Sequence, residues 1–146
     1  MKTKSFLLAW SSAFVVCFAL GYLWHDEIMT NFYTEHFERQ QNPDINVSVT
    51  AIAYLIITFL MTLIYSVWHK GKNPLIEGLL LGLIVGILWS LPAPLLDIAF
   101  GVGITPSGIL FDSAWQMIEE GIGGVVLARV YQFSIVQRPE KSLLGS

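Results

Sequence analysis

Long apolar runs separated by short polar segments dominate this chain. Four runs have the length of a bilayer-spanning helix, which needs about 20 mostly apolar residues: residues 6–24, 47–68, 75–91 and 106–131. Each run is apolar around most of its circumference, which is typical of membrane-embedded helices. The pattern predicts an all-α, polytopic membrane protein with four transmembrane helices, built as a single integral membrane domain over residues 1–146.

The connections between the runs carry two further predictions. Across residues 26–41, apolar side chains recur at helical spacing, which predicts an amphipathic helix on the outer membrane surface or over the end of the bundle. The third run ends at Pro92 and Pro94, which must break or kink a helix. The apolar residues 95–104 that follow are expected to form a short half-helix or a re-entrant segment.

Basic residues give the orientation. Seven of the eight lysines and arginines fall on one face of the predicted topology: Lys2, Lys4, Lys70, Lys72, Arg129, Arg138 and Lys141. Because cytoplasmic loops carry an excess of basic residues, both termini are predicted to be cytoplasmic in a multi-pass cell-membrane protein. The polar residues 138–146 are predicted to form a flexible tail.

Composition narrows the function classes. The chain is 54% hydrophobic and only 13% charged, against about 25% charged in an average soluble domain. The net charge of −3 and the lack of a basic stripe exclude nucleic acid as a partner. A single cysteine excludes an internal disulfide and a cysteine-based zinc site. The expected partner is the lipid bilayer, and no cofactor is predicted.

Two adjacent acids, Glu119 and Glu120, are the most informative residues in the sequence. At 1.5 Å per residue they lie about 20 Å along a helix that begins near Pro106, close to the middle of the membrane. An unpaired carboxylate there costs about 3 kcal/mol or more. Adjacent helical residues point about 100° apart. Both carboxyls can therefore face protein only if their helix is central or oligomeric.

Other polar residues extend this site. Asp112 and Trp115 share a helix face with Glu119 and form a stripe from the outer interface to the membrane centre. Asp97 is predicted at the outer entrance. If the carboxyls are structural, hydrogen-bonding residues on neighbouring helices should hold them, the candidates being Tyr54, Thr58, Thr62 and Trp89.

Glycines and histidines receive simpler interpretations. Small residues let membrane helices approach closely, so helix packing is the predicted role of Gly78, Gly82, Gly86, Gly121, Gly123 and Gly124. No metal site is predicted, since the weak candidates His25, Asp26 and His36 fit a solvated helix face better. No complete catalytic motif is present, so the protein is not expected to be an enzyme.

Two sequence segments carry a family resemblance. The first is Gly21-Tyr22-Leu23-Trp24, which ends the first run, and the second is residues 77–83, Glu-Gly-Leu-Leu-Leu-Gly-Leu. In these motifs and in its layout the chain resembles a family of small four-helix bacterial inner-membrane proteins of unknown function. The resemblance implies a topology and no activity.

Two function classes remain open. In the first, the protein is a small transporter or channel for protons, cations or a small solute, with Asp112, Glu119 and Glu120 handling charge. In the second, it is a non-transporting structural, accessory or lipid-binding subunit whose carboxylates hold the bundle together. Four helices make a thin wall around any pathway. A homo-oligomer, with a dimer favoured, or a larger membrane complex is therefore expected.

Overall fold

The described part of the chain is all-α. A computed structural model describes residues 3–37 and 46–136. In chain order the helices are α1 (Thr3–Tyr22), continued by a π-helical turn (Leu23–Ile28), α2 (Thr30–His36), α3 (Val47–Trp68), α4 (Pro74–Ser90), α5 (Pro92–Ala99) and α6 (Pro106–Val136).

Three helical stretches in the described ranges are long and apolar enough to cross a membrane. They are Thr3–Ile28, Val47–Trp68 and Pro74–Ala99. These stretches are compatible with an integral membrane protein, as the sequence predicts. Helix α6 is longer, at 31 residues, but it does not belong to this apolar group. The fourth transmembrane helix and the orientation of the termini therefore remain predictions.

Helix α6 is the centre of the bundle. It packs most extensively against α4 and α1, whereas α3 packs mainly against α1. The core between these helices includes Ala13, Met61, Leu81 and Leu127. The sequence predicts a site assembled from the second, third and fourth runs. The structure differs because α1, from the first run, packs directly against α6.

Three glycines of α4 allow its backbone to touch that of α6. A Cβ atom at Gly82 would overlap the carbonyl group of Glu120, and one at Gly78 would overlap the carbonyl group of Gly124. Gly86 faces the backbone of Gln116 in the same way. These three residues are spaced four apart and lie on one helix face. They therefore place two backbones at a separation that no larger side chain permits.

The paired prolines bend the third apolar stretch without ending it. Leu91 keeps right-handed helical torsion angles, φ −96° and ψ −44°. The amide of Leu95 still reaches the carbonyl of Leu91, at 3.3 Å. Helix α5 therefore follows α4 directly, and the stretch extends to Ala99 rather than ending at residue 91. For residues 95–104 the sequence predicts a short half-helix or a re-entrant segment. The half-helix is observed, and it begins earlier than predicted, at Pro92.

Helix α2 covers one end of the bundle. It occupies part of the predicted amphipathic segment 26–41, of which residues 38–41 lie outside the described ranges. Tyr33 is buried under it, and Phe37 pairs through its backbone with Ile104 at the start of α6. Of the two predicted placements, the described residues adopt the one over the bundle end.

Glu77 fixes the opposite end. Its Oε1 accepts hydrogen bonds from the backbone amides of Lys70 and Lys72, at 3.1 and 3.4 Å. Its Oε2 accepts from the Tyr65 hydroxyl and from the side-chain amide of Gln132, both at 3.3 Å. One carboxylate therefore joins α3, α4, α6 and the connecting loop. The loop itself turns at Gly71, whose φ of 67° favours glycine.

We expect Gly82→Ala to lower the free energy of unfolding by about 1–3 kcal/mol, because overpacking here displaces backbone rather than a flexible side chain. Reversible unfolding in mixed micelles measures the change. The matched control is Gly121→Ala on the same interface, where the new Cβ meets only the end of the Leu79 side chain, at 3.2 Å. Equal stability of the two variants would contradict the proposed packing.

Glu77→Ala is expected to lower the unfolding free energy by at least about 1.5 kcal/mol, because it removes a charged acceptor shared by four donors. Glu27→Ala, which truncates an exposed acid at the other end, should leave the melting temperature unchanged. Thermal melting in detergent provides the measurement. If the two variants have the same melting temperature, Glu77 does not anchor the loop.

Candidate functional site

The two central carboxyls lie inside the bundle. Glu119 and Glu120 are each 0% exposed. Neighbours on both sides of α6 make this possible, because side chains that point about 100° apart are covered by different helices. The central position that the sequence requires for this helix is therefore the one observed.

Glu119 is held from its own helix and faces a tyrosine of α3. Trp115, one turn away, donates its indole N–H to Oε2 of Glu119 at 2.9 Å. The predicted neighbour Tyr54 places its hydroxyl next to Gly21, as Glu119 does with Oε1. The Tyr54 hydroxyl lies within hydrogen-bonding reach of the Glu119 carboxyl, although its geometry at Oε1 is poor. Gly21 is necessary here because a Cβ atom would collide with the Tyr54 hydroxyl.

Glu120 points to α1 instead. The thiol of Cys17 donates to its Oε2 at 3.5 Å, and Cys17 is buried against Gly123. The other oxygen, Oε1, makes no hydrogen bond within the described ranges. A buried carboxyl oxygen without a partner costs free energy unless it carries a proton or meets a ligand or water.

No basic side chain of the described residues compensates the pair. The side chains that contact the two carboxyls are Trp115 and Cys17, with Tyr54 beside Glu119. None of these three is basic. Two negative charges at this position would therefore repel each other in a medium of low dielectric constant.

Two stacked indoles occupy the space between the central carboxyls and the outer end. Trp24, in the π-helical turn, stacks on Trp115 with ring centroids 3.9 Å apart and planes inclined by 6°. Its indole N–H donates to the Tyr33 hydroxyl at 3.3 Å. π-Helical turns are frequent at functional sites, and this one directs Trp24 and His25 at α6.

Asp112 is tied to the covering helix. The Tyr33 hydroxyl donates to its Oδ1 at 2.8 Å. Burial, with Asp112 as the next cause, raises the pKa of the Tyr33 hydroxyl above its usual range. The hydroxyl therefore stays protonated and remains a donor. In this way the predicted stripe of Asp112, Trp115 and Glu119 becomes a connected series of side chains.

A cavity opens at the Asp112 end of this series, which the sequence predicts to be the outer end. Its volume is about 290 Å³, and Asp97, Asp112, Trp89 and Ser90 are among its lining residues. Asp97 is buried at its wall. Trp89, which the sequence offers as an entrance or partner residue, lines the same cavity.

The predicted partner Thr58 is used differently. Its hydroxyl donates to the backbone carbonyl of Tyr54 at 2.6 Å, and Thr62 donates to the carbonyl of Thr58 at 2.7 Å. The hydroxyls of buried threonines commonly donate to a backbone carbonyl one turn earlier in the same helix. The expected hydrogen bond from Thr58 to a glutamate is therefore not made.

The weak metal candidates His25, Asp26 and His36 make separate contacts. Among the described residues, no group of three or more His, Cys, Asp or Glu side chains could hold a metal ion. The side-chain amide of Gln116 donates to Nε2 of His25 at 3.2 Å. His36 stacks on Phe32 and bonds to its carbonyl. Asp26 accepts through its backbone from Thr30.

Four residues of the site escape prediction from the sequence: Cys17, Trp24, Tyr33 and Gln116. Gln116 could have been predicted as a site residue, since it is a polar residue in an apolar segment and precedes Glu120 by one helical turn. Tyr33 shares the apolar face of the outer segment. Cys17 and Trp24 offered no such signal, because both are ordinary in an apolar helix and its end.

Comparison with known proteins adds no family to this description. No family model, no curated protein and no solved structure matches the chain. The resemblance to small four-helix inner-membrane proteins therefore remains a prediction from two short motifs.

Tyr33→Phe should lower the unfolding free energy by about 1–3 kcal/mol, because it leaves the half-buried Asp112 without its hydroxyl donor. Tyr22→Phe is the matched control, since Tyr22 is exposed on the preceding helix. Thermal melting in detergent compares them. A loss of the same size in both variants would refute a specific role for the bond to Asp112.

Proposed function

We propose that the protein is a small integral membrane transporter or channel that moves protons or small cations through the Glu119/Glu120 site. The observation that carries the proposal is the complete burial of two carboxyls for which the described residues provide no basic partner. Each carboxyl must then hold a proton or a cation to avoid an uncompensated charge. Exchange of that proton or cation between the two membrane faces is transport.

The proposal includes α6 as a fourth transmembrane helix. Its strongly polar residues Gln116, Glu119 and Glu120 all point inward, whereas Leu110, Ile118 and Ile122 lie on its exposed surface. Leu110 is 74% exposed. The buried acids lower the mean hydropathy of the helix, although lipid would meet mostly apolar side chains. The exposed Arg129 lies in the last third of α6. This arrangement supports insertion better than the average composition does.

The proposed orientation places both termini in the cytoplasm of a bacterial cell. Lys4 begins α1, while Lys70 and Lys72 lie between α3 and α4. Arg129 lies in the last third of α6. These ends meet at one side of the bundle, because α1 and α3 are antiparallel and Phe6 packs on Phe59. An excess of basic residues marks the cytoplasmic side.

The proposed route begins in the outer cavity. From Asp97 and Asp112, contacts lead through Tyr33 to Trp24, then across the indole stack to Trp115 and Glu119. Indole N–H groups are donors only, so the stack cannot relay a proton. Transport along this route therefore requires water to enter beside the stack, or the two indoles to separate.

Proteoliposomes loaded with a pH-sensitive dye test the proposal. With a valinomycin-induced potassium potential, we expect the protein to conduct protons, and Glu119→Gln/Glu120→Gln to reduce the flux to that of empty vesicles. The amide retains an acceptor for the Trp115 indole but cannot release a proton. Parallel assays with a sodium gradient or a potassium gradient in place of the proton gradient distinguish a proton pathway from a cation pathway.

The matched control for flux is Glu35→Gln, which alters an exposed acid of α2 and should leave transport unchanged. Melting temperatures must be compared in parallel, so that loss of flux is not loss of fold. A wild-type flux equal to that of empty vesicles for protons, sodium and potassium would refute transport.

A second candidate is a non-transporting accessory subunit. The observation that favours it is the bond of Glu120 to Cys17, which joins α6 to α1. In that case Glu120→Leu should destabilise the bundle while the wild type shows no flux.

For either candidate we propose a homo-oligomer, most simply a dimer, because one bundle surrounds any pathway with a single layer of helices. Cross-linking in native membranes tests this assembly.

A further inference from the structure

A second cavity lies at the opposite end of the bundle from Asp97 and Asp112. It has a volume of about 330 Å³ and opens beside the loop that connects α3 to α4. Its walls include Trp68, Lys70, Lys72, Ile76, Glu77 and Leu80. Neither the central carboxyls nor the outer cavity contributes to it.

One wall of this cavity is continuous with the apolar surface of the bundle. Ile76 is 57% exposed and Leu80 is 47% exposed, and they follow one another at helical spacing along α4. Leu79, Ile84 and Leu88 continue the exposed apolar surface of the same helix. A hydrocarbon chain lying along α4 would therefore reach the cavity without crossing a polar boundary.

The other wall carries positive charge. The ammonium groups of Lys70 and Lys72 form no ion pair or hydrogen bond with any side chain in the described ranges. Glu77, the acid at this wall, accepts four hydrogen bonds from two backbone amides, Tyr65 and Gln132. Its charge is spread over these donors, and it holds the loop that carries both lysines.

Trp68 completes the arrangement at the end of α3, where it is exposed. Tryptophan is enriched where a membrane helix leaves the hydrocarbon, because its ring is apolar and its N–H is polar. The cavity therefore combines an apolar wall, an interfacial indole and two lysines free to approach a phosphate.

We infer that this cavity binds an anionic phospholipid of the surrounding leaflet. The phosphodiester headgroup contacts Lys70 and Lys72, and one acyl chain lies along Ile76 and Leu80. A lipid is the occupant favoured over a soluble phosphate compound because the apolar wall joins the lipid-facing surface. The inference does not depend on transport through Glu119 and Glu120.

Native mass spectrometry of the detergent-purified protein tests this inference with two probes, dioleoyl phosphatidylglycerol and dioleoyl phosphatidylcholine. We expect the wild type to retain phosphatidylglycerol preferentially. A basic residue near a lipid surface contributes about five-fold in affinity, so Lys70→Gln/Lys72→Gln should weaken retention by about 25-fold. Phosphatidylcholine retention should change little.

Two matched controls separate a site from general attraction. Lys4→Gln removes a lysine at the same end of the bundle but outside the cavity, and should keep the preference. Ile76→Ala should weaken retention more than Ile52→Ala, which trims a similarly exposed residue near the start of α3, far from the cavity. All variants must melt like the wild type.

Three results would overturn the inference. The first is equal retention of phosphatidylglycerol by the wild type and Lys70→Gln/Lys72→Gln. The second is an equal loss in Lys4→Gln, which would indicate nonspecific charge attraction. The third is displacement of the lipid by millimolar glycerol phosphate, which would indicate a site for soluble phosphate compounds.

Discussion

Direct backbone contact between α4 and α6 is the constraint on which the other features depend. Gly78, Gly82 and Gly86 bring the two helices so close that the carbonyls of one face the Cα atoms of the other. Side chains of α6 that would otherwise be exposed are then enclosed, with α1 closing the opposite side. The burial of Glu119 and Glu120 follows from this packing, since without a close neighbour on each side one carboxyl would be exposed.

The enclosed polar groups are arranged along the axis of α6. Asp112, Trp115, Gln116, Glu119 and Glu120 occupy successive turns, and each meets a partner from a different part of the chain or from α6 itself. Buried hydrogen bonds of this kind are specific because an unmade bond is costly in a low dielectric medium. The arrangement leaves oxygens of Gln116 and Glu120 without partners among the described residues, and these are the atoms on which the proposed exchange of a proton or cation depends.

The two ends of the bundle have opposite chemistry. One cavity is lined by Asp97 and Asp112, whereas the cavity beside the α3–α4 loop is lined by Lys70 and Lys72. Acidic side chains attract cations and lysines attract anionic groups. Transport through the centre and lipid binding at the lysine end are therefore compatible roles for separate regions.

The sequence by itself determined the class of protein and the residues of interest. Apolar runs identify the helices because lipid tolerates only satisfied backbone, and Glu119 and Glu120 stand out because charge is rare in such runs. It also indicated the glycine contacts, through their spacing. Only the tertiary structure decided that Cys17 and Trp115 hold the carboxyls, that Thr58 does not, and that α2 covers the end through Tyr33. Those choices depend on which helices are neighbours and on their rotation, and local periodicity carries no information about either.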